Sequence, residues 1–347
     1  MFTENNEIAL RVEVLRDGGV LGTLEPYNAP EIRNISASEL KMSFRGEFFA
    51  DTAKDIDWIR DRIRPVLIIN GTEYPCGVFI ATTVGKQKIS GETVLSVEGY
   101  SPLYLASRVK IEGEYTIRKG TNYIAAIQEL LWKAGIRFFA AEDTDLKMAE
   151  DRADWPSGTT ILTVANQLLS EINYRSAWVD LSGVVRLTKY QTVSAGNVQH
   201  TYAAGEYSIV SADASAGTDY FDKANVFRAV CSSPDLPAPL SVTVENDDPN
   251  SPYSTVSMGI RILREEYVDS VPDEKTLRDR AMIMLEKSLR TIETAEFITA
   301  LNPTHGTWDT VALDLGVATG IYMETEWSMV LDASGEMRHM AERVVYK

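Results

Sequence analysis

Apolar and polar residues alternate along most of the first hundred positions, and a period of two predicts strands. Ile8 to Leu15 alternates and runs into Asp17-Gly18-Gly19, a hairpin-turn signal. Arg64 to Ile69 is followed by Asn70-Gly71, the strongest short-range hairpin signal in the chain, with a second strand expected around Val78 to Val84. Glu92 to Gly99 adds another strand, with Thr93, Leu95 and Val97 on one face. The charged stretch Asp55 to Arg64, which holds Trp58 and Ile59, fits a short helix or a loop. Many short strands with Gly and Asn turns predict a closed or nearly closed antiparallel sheet.

The period then changes. Tyr123, Ile127, Leu130, Leu131 and Ala134 fall at helical spacing, and Gly135 follows as a helix stop. After an acidic loop, Glu142 to Asp154, a second helix fits Thr160 to Ile172, with Ile161, Val164, Ala165, Leu168, Leu169 and Ile172 on one side. A hairpin is expected from Ala177 to Asp180, a turn near Ser182-Gly183, and Val184 to Lys189. Strands return at Val226 to Cys231, Leu240 to Glu245 and Met258 to Leu263, with a Pro- and Asp-rich loop, Asn246 to Pro252, before the last. One helix interrupts, with Pro272 in its first turn and Leu277, Ala281, Met284 and Leu285 as its apolar stripe down to about Arg290. Strands at Thr294 to Ala300, Val311 to Leu313, Gly320 to Val330 and Arg338 to Val345 complete the pattern. The order is β, then α+β, then β with one embedded helix.

Length and composition set bounds. The 347 residues suggest about two domains, and 44% apolar with 24% charged residues is an ordinary globular balance. The formal net charge is −16, of which residues 201–347 supply −12 from 12 basic and 24 acidic side chains. A pI near 4.7 argues against a grip on nucleic acid, which needs clustered Lys and Arg. The start, MFTENNEIALRVEV, has neither a basic nor an apolar signal region, and apolar runs such as Pro65 to Ile69 are strand-sized, so no leader or membrane anchor is expected. Cys76 and Cys231 lie far apart, which predicts two buried free thiols made in a reducing cytoplasm.

Candidate chemistry is sparse. His200, His305 and His339 lie outside helical or hairpin reach of one another, so they are expected as surface or turn residues rather than a metal site. No GxSxG, P-loop, GxGxxG or HExxH occurs. Glu142, Asp143, Asp145, Glu150, Asp151 and Asp154 supply the oxygens calcium takes, but lack the EF-hand spacing and its central Gly; a solvated loop is expected. Glu245-Asn246-Asp247-Asp248, followed by Pro249, reads as a turn. The six tryptophans, Trp58, Trp132, Trp155, Trp178, Trp308 and Trp327, mostly neighbour acids rather than bases, which favours packing over stacking on a nucleic-acid strand. No catalytic, cofactor-binding or metal-binding residue is assigned, and no cofactor is expected.

Several segments, in order, resemble the phage tail hub (baseplate hub) family. ISASELKMSFRGEF (35–48) and IRPVLIINGTEYPCGVF (63–79) resemble its first barrel. LSVEGYSPLYLASRVKI (95–111), SEINYRSAWVDLSGVVRLTKY (170–190), FDKANVFRAV (221–230), SPYSTVSMGIRI (251–262) and NPTHGTWDTVAL (302–313) continue the pattern, the last two on either side of the helix near 273–290. More distant relatives are the contractile-phage baseplate hub and the amino-terminal region of type VI spikes. The resemblance implies an α+β, mostly β fold: two similar antiparallel β-barrel domains, 1–115 and 196–347, an α+β insertion at 116–195, and a helix embedded in the second barrel at about 273–290. It implies a non-enzymatic homotrimer whose six pseudo-equivalent barrels adapt a sixfold tail tube to a threefold spike or tip, in a virion or phage-tail-like particle assembled in a bacterial cytoplasm. Implied partners are its own copies, the tail tube protein, the spike or tail-tip protein and other baseplate proteins, with DNA only in transit through an acidic channel. Appended lytic or peptidoglycan-binding domains are not expected. The competing readings are a tail-tip carbohydrate-binding adhesin, with Trp155 as its candidate platform, and a tail-associated lysin.

Overall fold

The computed structural model describes residues 7–345 except 192, 206–208, 220–222, 232–238, 269–273 and 290. The chain opens with β1 (Ile8–Arg16), β2 (Gly19–Leu24), β3 (Pro26–Ile35), β4 (Met42–Phe49), β5 (Arg62–Ile69), β6 (Thr72–Pro75), β7 (Ile80–Ile89) and β8 (Glu92–Tyr100). Next come α1 (Leu103–Arg108), α2 (Tyr123–Lys133), β9 (Phe139–Ala141), α3 (Ile161–Glu171), β10 (Trp178–Val179), β11 (Val185–Leu187), β12 (His200–Ala203) and β13 (Val210–Asp219). Then follow β14 (Val226–Cys231), β15 (Leu240–Glu245), α4 (Thr255–Met258), β16 (Leu263–Val268) and α5 (Glu274–Leu289). The last strands are β17 (Thr291–Ala300), β18 (Thr310–Asp314), β19 (Thr319–Val330) and β20 (Glu336–Val345). Strands hold 47% of the chain and helices 16%, so the fold is α+β and mostly β, as expected.

Local chemistry explains the elements. Asp17 and Gly18 (φ 51° and 84°) and Asn70 and Gly71 (φ 52° and 79°) take the left-handed conformations that two-residue hairpins require. Helices α2 and α3 begin where Asn122 accepts from Ala125 N–H and Thr160 from Thr163 N–H. Two expectations shift. The strand after Asn70-Gly71 starts at once as β6, with Ile69 opposite Thr72, and the apolar run from Val78 leads into β7, which pairs with β8. Met258 to Leu263 is not a strand: Ser254 caps α4, Gly259 ends it at φ 68°, and β16 begins only at Leu263. Pro272 and Arg290 lie outside the described residues, and Asp55 to Asp61 is an irregular turn that leaves Ile59 90% exposed, with Arg62 to Arg64 already in β5.

Two compact units emerge, Met1–Ser215 with Glu296–Ala341, and Ala216–Ala295 with Glu342–Lys347. In the second, β14 pairs antiparallel to β15 and parallel to β16, and Leu277, Ala281 and Leu285 of α5 share a buried core with Phe227, Ala229 and Val242. In the first, β10-β11-β9 and helices α1 to α3 surround one core, and β2-β1-β5-β6 form a sheet over another.

The largest sheet runs β13-β17-β20-β19-β3-β4-β8-β7, with β18 beside β19 and β12 beside β18. It contains one topology twice. In chain order the strands are β3, β4, β7, β8 and then β13, β17, β19, β20; in space they lie β3-β4-β8-β7 and β13-β17-β20-β19. The two repeats meet where β19 pairs antiparallel with β3, Glu326 opposite Ile35 through Val330 opposite Glu31. Closed barrels were expected, yet these sheets keep end strands: the β3 and β19 edges that would seal separate rolls join the repeats to each other instead.

Candidate functional site

The chain's three histidines converge, against the expectation of separate surface or turn residues. His200 stands at the start of β12, His305 and Asp309 in the loop between β17 and β18, Glu324 in β19 and His339 in β20. His305, Glu324 and His339 are almost fully buried. Glu324 sits where β19 changes partner, since Thr319–Met323 pairs with β18 and Glu326–Val330 pairs with β3.

The Glu324 carboxyl faces both inner imidazoles, His305 Nδ1 at 2.6 Å from Oε2 and His339 Nδ1 at 2.5 Å from Oε1. His305 Nε2 meets Tyr202 Oη at 2.5 Å, and His339 Nε2 meets Thr299 Oγ1 at 2.8 Å. The His200 ring stacks on His305 with centroids 3.8 Å apart, and His200 Nε2 meets Asp309 Oδ2 at 3.0 Å. Gly306 N–H donates to the same Asp309 oxygen at 2.7 Å. Burial, helped by neighbouring His200, pushes the His305 imidazole down to about 3, and burial pushes His339 down despite Glu324. Burial raises the Glu324 carboxyl and the Tyr202 phenol. Burial acts the same way on Asp309, but the His200 and Gly306 hydrogen bonds outweigh it and hold that carboxyl below its usual range.

These donor types suit zinc or iron, and His200, His305 and Asp309, or His305, Glu324 and His339, bring one ligand atom each within 4.8 Å of one another. The inner contacts of 2.5 and 2.6 Å have hydrogen-bond lengths. A metal about 2.0–2.2 Å from each donor would hold those atoms farther apart. The His305 and His339 imidazoles are sealed from solvent, while Asp309 lines a small cavity with Arg175, Trp178 and Trp308.

The loop that carries His305 is pinned to the junction of the two repeats. Trp327 Nε1 donates to Gly306 O at 2.7 Å, and Asn34 Nδ2 donates to Thr307 Oγ1 at 2.7 Å. Trp308, at φ 63°, lies under Arg175 and Lys41 and edge-on to Trp178. A non-glycine residue keeps such a conformation only where its surroundings over-determine it.

The remaining candidates separate. The acidic stretch 142–154 makes no metal-capable group among the described residues; Asp151 binds Arg118 and Lys119 N–H, and Asp154 binds Arg152. Glu245 pairs with Arg261, and Asp248 closes a local turn to Asn250 N–H. Trp155 is no exposed platform: it is buried in the core of the α+β region and donates to Gln167 Oε1. Cys76 and Cys231 are free and buried.

No sequence-family profile and no curated protein matches the chain. Solved structures do. The 43 kDa tail protein of prophage MuSo2 from Shewanella oneidensis is 13% identical, with a TM-score of 0.66 over 96% of this chain and 98% of that one. The tail protein of Neisseria meningitidis MC58 is 12% identical, with a TM-score of 0.66 over 96% and 97%. The Escherichia coli type VI secretion component c3393, described as structurally similar to the T4 tail proteins gp27 and gp5, is 11% identical, with a TM-score of 0.52 over 98% of this chain and 77% of that one. Over nearly its whole length, then, the chain is built on the fold of the prophage tail proteins.

Proposed function

We propose that this protein is a structural tail hub: a homotrimer whose six repeats form a ring between a sixfold tail tube and a threefold spike or tip. The observation that carries the reading is the duplicated four-strand topology, joined head to tail through β19 and β3, with β7 and β13 as the outer strands among the described residues. An unpaired edge is a template for another strand. If β7 of one copy takes β13 of the next as β19 takes β3 within the chain, the contact is heterologous, and three copies close a ring. The edges are complementary in charge: β7 (IATTVGKQKI) carries two lysines and no acid, and β13 (VSADASAGTD) carries acids and no base.

In this reading residues 1–115 and 196–347 are the two barrel-like domains and 116–195 the inserted domain. The partners are the tail tube, the spike or tip and other baseplate proteins, in a virion or tail-like particle. The acidic surface of residues 201–347 lines the channel, so that DNA in transit meets like charge. The role is non-enzymatic. Similarity to tail proteins and the absence among the described residues of any helix able to cross a membrane are in keeping with this. The test is particle mass and symmetry by light scattering and electron microscopy. A threefold ring with six similar lobes is expected. Lys86→Glu with Lys88→Glu should weaken assembly by about tenfold or more, and Asp213→Lys should restore it. A monodisperse monomer at high concentration refutes the proposal.

A further inference from the structure

Following protons along the buried network leads to a protonation state. At one end, Thr299 Oγ1 gives its single proton to Ala300 O at 2.8 Å, so it accepts from His339 Nε2. His339 therefore carries a proton on Nε2, and as the neutral imidazole that its burial favours it presents a lone pair from Nδ1 to Glu324 Oε1 at 2.5 Å. At the other end, Asn302 Oδ1 accepts from Thr304 N–H and O–H at 3.3 and 2.6 Å, which turns its Nδ2 toward Tyr202 Oη at 3.0 Å. Tyr202 accepts there and gives its own proton to His305 Nε2. His305 then donates from Nδ1 to Glu324 Oε2. An ionised Glu324 would satisfy His305 and set two lone pairs against each other at His339.

We propose that Glu324 is held as a neutral carboxylic acid, and that its proton, shared between Oε1 and His339 Nδ1, completes this site and fastens the point where β19 passes from β18 to β3. Every group then donates in one direction, from Asn302 through Tyr202, His305, Glu324, His339 and Thr299 to the Ala300 carbonyl. Glu324 faces His200 and Tyr202 of β12, His305 and Asp309 of the β17–β18 loop, and His339 of β20, with no Lys or Arg among its partners in the described residues. Asp309 already takes the positive ends of His200 and Gly306 N–H, so a second anion here would be buried without a cation. The direction in which burial moves Glu324 and both inner histidines agrees with the count.

Glu324→Gln tests this, because an amide copies the acid: its oxygen accepts from His305 and its nitrogen donates to His339. The variant should fold at pH 7. Above about pH 4.5 the wild-type folding constant should fall tenfold per pH unit relative to E324Q, because folded Glu324 keeps a proton that the unfolded chain has released. Wild-type protein at pH 8 should also show the infrared carbonyl band of a protonated carboxyl, shifted in heavy water. The proposal is overturned by an E324Q protein that does not fold, by parallel pH profiles, by absence of that band, or by one equivalent of metal in the wild type.

Discussion

Replacing Trp327 tests whether the junction between the two repeats is a core or merely a contact. Trp327 stands opposite Asn34 in the β19–β3 pair, is 1% exposed, and shares a buried cluster with Ile32, Phe44 and Met329. Burying roughly 200 Å² of indole at about 25 cal/mol per Å² contributes about 5 kcal/mol. Large-to-small substitutions of this kind cost about 3–5 kcal/mol. Trp327→Ala should therefore destabilise the first unit by about 4 kcal/mol. Trp327→Phe keeps most of the apolar contact and loses the 2.7 Å bond to Gly306 O, which is worth about 1–2 kcal/mol. Urea titration followed by far-ultraviolet circular dichroism measures both. If W327A costs under about 1 kcal/mol, or if the two variants cost the same, neither the packing nor the hydrogen-bond argument stands.

Acid should destabilise the protein from about pH 6.5 downward, because His305 and His339 stay neutral in the fold but take up protons when unfolded. Glu324 opposes this above pH 4.5 by keeping its proton, so the three groups together predict a tenfold loss per pH unit between 6.5 and 4.5, read from urea midpoints. Cys76, fully buried with its thiol pushed up to about 12, should resist iodoacetamide at pH 8 in the native protein and react on unfolding, as mass spectrometry would record. Gly99→Ala would place a Cβ 2.6 Å from Ile80 O, beside the bulge between Ala81 and Thr83; a cost of about 1–3 kcal/mol is expected in thermal or urea unfolding.

Features set by neighbouring residues were legible before any coordinates. The Asp17-Gly18 and Asn70-Gly71 hairpins, the helix stop at Gly135 and the strands Val226–Cys231 and Leu240–Glu245 each follow from a few adjacent side chains. The buried network was not legible, because its members come from β12, β17, β19, β20 and a loop, and no local pattern encodes their meeting. One trace existed: Glu324 shares the buried phase of β19 with Tyr322, and the phase changes before Trp327 and Met329. A carboxylate on the inward side of a strand, at a break in its alternation, marks a place where strand partners change. The β3–β19 pairing was hidden for the same reason, since it joins opposite ends of the chain.

Because β3 and β19 are tethered, their seam closes when the polypeptide folds, at an effective concentration that dilution cannot lower. A ring of six separate modules would need six encounters between molecules, whereas the proposed trio of fused pairs would leave three. In that proposed ring the three would be free to diverge in strength from the built-in ones, so that each half is held firmly while assembly remains adjustable.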